Sequence, residues 1–175
     1  MALRPARCYR KLERPYTRIS RSKPRKGYVK GVPALKIHRF EAGNAERKFS
    51  KTLYLVGKNA VQIRHNALEA ARVIATKTLA KHAGEGNYFL KVLVYPHHVL
   101  RENPLATGAG ADRFQTGMRK SFGRPISTAA RIRNNQKILE VRVDDEKAGK
   151  KALKVAASKL PTPCFITDSD KYNKK

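Results

Sequence analysis

Two groups of side chains in this sequence are of types that do chemistry. The first is the adjacent pair His97-His98, with Asp112 further along. Imidazole and carboxylate together form the acid–base set of a nuclease, but that chemistry needs the groups held rigidly together. Here a glycine-rich stretch separates them. Neighbours on an extended chain also point opposite ways, so the two histidines make a poor chelating pair and no metal site is expected. The second group is the run 101–125, RENPLATGAGADRFQTGMRKSFGRP, whose glycines suggest a phosphate-cradling loop. A P-loop needs Gly-x-x-x-x-Gly-Lys-Ser/Thr, because backbone amides converge on the phosphates while the lysine reaches them. Gly117 is followed by Met118, and no glycine directly precedes Lys120-Ser121. The dinucleotide pattern Gly-x-Gly-x-x-Gly fits Gly108 and Gly110 but meets Arg113 at the third place. No cofactor is expected, and the chain reads as a non-enzyme.

The charge supplies a different kind of chemistry. Thirty-nine Lys+Arg stand against 13 Asp+Glu in 175 residues, a formal net charge of +26. A sum this large repels itself and calls for a polyanion, with nucleic acid as the default partner. An anionic membrane surface is the alternative, but no segment reaches the apolar length of a span, and no secretion signal precedes the first basic residues. Cys8 and Cys164 lie at opposite ends without a Cys-x-x-Cys unit, so neither a zinc knuckle nor an oxidising compartment is indicated.

The cations concentrate first in residues 1–31, which hold eleven Lys/Arg and one acid, Glu13. Arg4, Arg7, Arg10, Lys11, Arg14, Arg18, Arg21, Lys23, Arg25, Lys26 and Lys30 are interleaved with Tyr9, Tyr16 and Tyr28. No helical or strand period survives there. A disordered basic tail is one reading. The interleaved aromatics favour an extension that orders on RNA, with cations on phosphates and tyrosines stacked on bases.

The remaining sequence supplies the elements that must position these groups. Alternation predicts strands at 35–40, 52–56, 88–95, 126–132 and 137–143, and a short one at 164–166. Asn66 followed by Glu69 has the spacing of a capping box, which predicts a helix to about His82 with Leu68, Ala71, Ala75 and Leu79 buried and Gly84 closing it. Asp144 or Asp145 caps a second helix to about Lys159. Its face of Lys147, Lys150, Lys151 and Lys154 is either plainly solvated or a phosphate contact. The expected fold is α+β: a two-layer sandwich with two amphipathic helices on one side of a mixed, mostly antiparallel sheet. The expected divisions are a basic extension 1–33, one α/β domain 34–167 with an inserted loop 101–118, and a polar tail 168–175. So long an unstructured insertion is usually functional. Its glycines permit close backbone approach, as in a finger pushed into a crowded polyanion.

Five stretches carry a family resemblance: RPARCYR (4–10), GVPALKIHRF (31–40), NALEAARV (66–73), VYPHHVLRENPLATGAGADRFQTGMRKSFGRP (94–125) and KLPTPCFI (159–166). They resemble the universal L-sixteen family of large-subunit ribosomal proteins, in its archaeal and eukaryotic L-ten-e branch and of archaeal type. Two departures are Glu41-Ala42, where the family usually has Asp-Met, and Ser127, where it usually has Gly. The resemblance implies a cytoplasmic protein of the ribosome that binds large-subunit rRNA near the 5S rRNA and the tRNA corridor. It implies neighbouring ribosomal proteins and late assembly factors as further partners, with no membrane and no second copy of the chain. Under it, the basic residues and tyrosines of the extension, with His97, His98 and Arg124, contact rRNA. Arg101, Asn103, Gly108, Gly110, Asp112, Arg113, Gln115, Arg119 and Lys120 belong to a loop that reaches toward tRNA and the peptidyl-transferase region. Without the resemblance, a chromatin-type DNA-binding protein would be the runner-up, but neither helix offers an Asn/Arg-rich base-reading face.

Overall fold

The computed structural model describes residues 3–13, 27, 29–104, 106, 108–115 and 117–168. In chain order its strands and helices are β1 (Glu41–Gly43), β2 (Lys51–Gly57), β3 (Val61–Arg64), α1 (His65–Ala83), β4 (Tyr88–Val92), β5 (His98–Glu102), β6 (Arg124–Ile132), β7 (Gln136–Val143), α2 (Glu146–Ala157) and β8 (Cys164–Asp168). The class is α+β, as expected. The strands form two sheets rather than one, of order β1-β4-β7-β2-β8 and β3-β6-β5, and every pairing is antiparallel.

The period-two pattern of β7 explains the large sheet. Leu139, Val141 and Val143 are fully buried on the face that carries the helices. On the opposite face Tyr54, Glu140, Lys91 and Glu41 stand in register across four strands. Lys91 Nζ meets Glu41 at 2.6 Å and Arg142 Nε meets Glu140 at 2.6 Å, so polar partners line the uncovered side. The apolar stripe of α1 is as read: Leu68, Ala71, Ala75 and Leu79 are all buried, at spacings of three and four. Gly84 ends the helix at φ 85°, and its N–H donates to the Ala80 carbonyl. Asp145 is the cap of α2, its carboxylate accepting from the Lys147 N–H at 2.9 Å. The two helices pack on each other, α2 on β2 and β7, α1 on β4 and across to β3 and β6. α1 therefore joins the two sheets.

Three expectations need correction. Residues 35–40 form no strand: Ile37 is buried, but the Lys36 N–H donates to His65 Nδ1 at 2.8 Å instead of entering a ladder. The strand is instead the short β1. It stops at Gly43, which sits at φ 93° where an added Cβ would lie 2.1 Å from the Tyr88 carbonyl oxygen. The capping box at Asn66 is absent, because β3 runs straight into α1 with Arg64 at the cap position. Glu69 pairs with Arg72 at 2.6 Å, one turn on. Finally, the strand predicted at 88–95 ends at Val92. Pro96 cannot donate to a ladder, and after it the chain starts the second sheet at His98.

Candidate nucleic-acid interface

The small sheet has one face toward the core, through Val61, Ile63, Ala130 and Ile132. Gln62, Arg64, Ala129, Arg131 and His98 occupy the other face, by alternation and register. Residues 4–13 lie across that outer face as a strap, fastened almost wholly through their backbone. The Gln62 N–H donates to the Arg10 carbonyl at 2.9 Å, and Gln62 Nε2 donates to the carbonyls of Tyr9 (3.1 Å) and Lys11 (2.9 Å). Arg64 Nη2 donates to the Arg4 carbonyl at 2.8 Å, and Arg131 Nη2 to the Glu13 carbonyl at 2.7 Å. With its carbonyls turned inward, the strap keeps the side chains of Arg4, Arg7, Arg10 and Lys11 exposed.

Two side chains of the strap, Tyr9 and Arg4, add anchors at Glu102. Tyr9 lies with the Arg64 guanidinium 5.4 Å from its ring centre, and its hydroxyl donates to Glu102 at 2.8 Å. Burial, then the Glu102 hydrogen bond and charge, push its phenol up to about 12. Tyr9 is thus part of the fastening, with at least one ring face occupied. Arg4 forms an ion pair with the same Glu102 carboxylate. Arg14, Tyr16, Arg18, Arg21, Lys23, Arg25, Lys26 and Tyr28 lie outside the described residues, while Lys30 is exposed.

The central loop proves to be a hairpin tip. β5 and β6 pair antiparallel, with Glu102 opposite Arg124, so the unpaired part runs 103–123 and Arg101 belongs to a strand. Arg101 closes the base: its Nε donates to the Phe122 carbonyl at 3.1 Å, its Nη2 donates to the Gly123 carbonyl, and its guanidinium stacks 3.9 Å from the Phe122 ring centre. Gly123 (φ 72°) brings its Cα so near the Glu102 backbone that an added Cβ would fall 2.4 Å from it. Asn103 is half-buried at this base. Further out, Gly108 (φ 118°) and left-handed Gly110 (φ 79°) lead into a 3-10 turn, Ala111–Arg113, whose middle residue is Asp112. The Gln115 side-chain amide donates to the Arg119 carbonyl. Arg113, Arg119, Lys120 and Arg124 are exposed. Phe114 is 85% and Met118 81% exposed, apolar residues at a cationic tip that sequence reasoning passed over.

His97 and His98 separate in environment. His97 is exposed beside Tyr95, whereas His98 is half-buried at the start of β5. Burial, then the charge of Arg131, lowers the pKa of His98. The lysine face of α2 is exposed, with Lys150 paired to Glu146 one turn before it. Ser127, a departure noted above, is an ordinary buried strand residue opposite Leu100. Sequence reasoning also missed Gln62, Arg64 and Arg131. The polar alternation of Val-Gln-Ile-Arg at 61–64 is the signal that could have found the first two. Among the described residues no group of His, Cys, Asp and Glu is placed to hold a metal, and no helix is long and apolar enough to cross a membrane.

These features define a class: a small, strongly basic α+β protein that presents its cations on a fastened strap and a braced hairpin, as a polyanion-binding scaffold does. Comparison with known proteins specifies the family. Residues 16–167 match the model of the family described as ribosomal protein L16p/L10e. The chain is 53% identical to large ribosomal subunit protein uL16 of Staphylothermus marinus over 95% of this chain and 93% of that protein. It is 49% identical to the same-named protein of Archaeoglobus fulgidus over 95% of this chain and 92% of that one. For Hyperthermus butylicus the figures are 48%, 95% and 93%. The chain belongs to the ribosomal protein L16p/L10e family, a family of structural proteins rather than enzymes.

Proposed function

We propose that the chain is a structural constituent of the large ribosomal subunit that binds rRNA near the 5S rRNA and the tRNA corridor. The 103–123 finger reaches toward tRNA and the peptidyl-transferase region, and the protein supports tRNA positioning and late subunit assembly. On this reading the chain divides into a basic rRNA-binding extension (1–33), an α/β unit (34–167) that carries the finger, and a polar tail (168–175). The strap supplies phosphate contacts through Arg4, Arg7, Arg10 and Lys11. His97, His98 and Arg124 add rRNA contacts on the same sheet, and Arg113, Arg119 and Lys120 present charge at the tip.

The observation that carries this reading is the strap itself. Its hydrogen-bonding backbone is spent on the small sheet, which leaves Arg7, Arg10 and Lys11 outward, beside an exposed Arg4 paired to Glu102, in a chain of net charge +26. Guanidinium groups on a braced loop pair bidentately with phosphate or stack on bases. The test is to reconstitute large subunits with an Arg113→Ala/Arg119→Ala chain and to measure stoichiometry and tRNA affinity separately. Normal stoichiometry with weakened tRNA binding is expected. Normal tRNA affinity and peptide synthesis would refute the tRNA-facing role, and lost stoichiometry would make the finger an rRNA anchor.

A further inference from the structure

Between the two sheets, outside both strap and finger, three rings meet, one pair stacked and the other tilted. Phe40 and Tyr95 lie 5.2 Å apart at 19°, and Tyr95 and His97 lie 4.4 Å apart at 42°. A γ-turn at Pro96, in which the His97 N–H donates to the Tyr95 carbonyl at 3.0 Å, brings the second pair of rings together. The Phe40 end is half-buried against the core. The other end reaches solvent: Tyr95 is 46% exposed, and His97 is exposed as well. A cleft of about 280 Å³ opens beside it, lined by Tyr95, His97, His98 and Arg131. Arg131 gives one Nη2 donor to the Glu13 carbonyl, out of the five N–H donors a guanidinium carries.

Aromatic side chains left at a surface lose the benefit of burial unless something covers them. In a chain of this charge the covering partner is a polyanion that also carries flat rings. We propose that Tyr95, His97 and Arg131 form a receptor for one unstacked nucleotide of RNA. The base extends the ring stack at its open end, and the adjoining phosphate sits on the Arg131 guanidinium. Stacking of this kind tolerates any base, so the site selects an extruded nucleotide rather than a sequence. Because Phe40 already holds Tyr95 in place, the ring stack is ordered before the base arrives. The proposal rests on the rRNA-binding reading above and adds a defined contact to it.

The test uses the full chain and two RNA hairpins, identical except that one carries a single bulged 2-aminopurine and the other an abasic residue at that place. The wild-type chain should bind the bulged-base hairpin about fivefold or more tightly than the abasic one, with the emission of the 2-aminopurine quenched. His97→Ala, at an exposed position, and Tyr95→Leu should each bring the ratio of the two affinities close to one and lose most of the quenching. Equal binding of the two hairpins by the wild type would overturn the site alone, as would a preference that survives both substitutions. Failure of the wild type to bind either hairpin would overturn the rRNA-binding reading and the site with it.

Discussion

Tyr9 donates its phenolic hydrogen to Glu102 over 2.8 Å, joining residues 93 apart in the chain. Since Glu102 also pairs with Arg4 and stands opposite Arg124 at the finger's base, one carboxylate ties the strap to the root of the finger. The phenol is pushed up to about 12 from its ordinary 10, by burial first and Glu102 second. A group raised in the folded state contributes fully below its unfolded value and loses that contribution as pH rises through the folded one. The strap contact should therefore hold below pH 10 and weaken between 10 and 12. In Glu102→Ala the phenol should titrate nearer 10, read as a tyrosinate absorbance difference against Tyr9→Phe. An unchanged titration would separate Tyr9 from Glu102.

Gly123→Ala should open the base of the finger. The substitution places a Cβ at φ 72° and 2.4 Å from the Glu102 carbonyl, where backbone rather than a flexible side chain must move. Left-handed strain of this kind costs about 1–3 kcal/mol. Amide exchange should accelerate at 99–102 and 124–128 while β2, β4 and β7 keep their protection. Uniform acceleration across both sheets would mean that the finger's base is part of one cooperative core.

Gly149→Ala sets two effects against each other. Alanine in a helix gains about 0.8–1.0 kcal/mol over glycine. The new methyl would lie 2.7 Å from Leu53 Cδ1 and 2.8 Å from Val143 Cγ2, both fully buried. Overpacking typically costs 1–3 kcal/mol, so steric crowding wins. Urea denaturation should show a net loss of about 1 kcal/mol; a more stable variant would show that the core has room.

The two thiols should differ sharply. Cys8 is exposed on the strap, whereas burial pushes Cys164 up to about 11. At pH 8 that leaves roughly one thiolate in a thousand at Cys164, and alkylation proceeds through the thiolate. Mass spectrometry of an iodoacetamide time course should find Cys8 labelled at least roughly tenfold faster. Labelling of Cys164 first would contradict its burial.

Sequence reasoning succeeded where a single periodicity decided the outcome. The stripe of α1, the alternation of β7 and the Asp145 cap are local patterns, and each holds in the structure. It failed where partners come from far away. β3 is only four residues long, and its polar face is buried by a strap some fifty residues distant, through contacts such as Gln62 to Tyr9. The small sheet stayed hidden for the same reason: β5 becomes a strand by pairing with β6 across a glycine-rich tip, and nothing local marks that return. For the candidate interface, charge marked the N-terminal extension, and length and glycines marked the finger. The residues that hold them, Arg64, Arg131 and Glu102, act through contacts only the fold brings together.

The place of β2 bears on how this chain is made. It lies between β7 and β8, and both neighbours come far later in the chain than β2 itself, at Gln136–Val143 and Cys164–Asp168. While the chain is emerging, α1 forms within its own turns, but β2 has neither ladder partner until β7 and β8 follow. Pairings this distant in sequence make closure slow, and an unpaired apolar strand is open to wrong partners in the meantime. Until then this chain is a strongly cationic nascent polypeptide with a bare strand edge. Its window of vulnerability closes only when Cys164–Asp168 has left the machine that makes it.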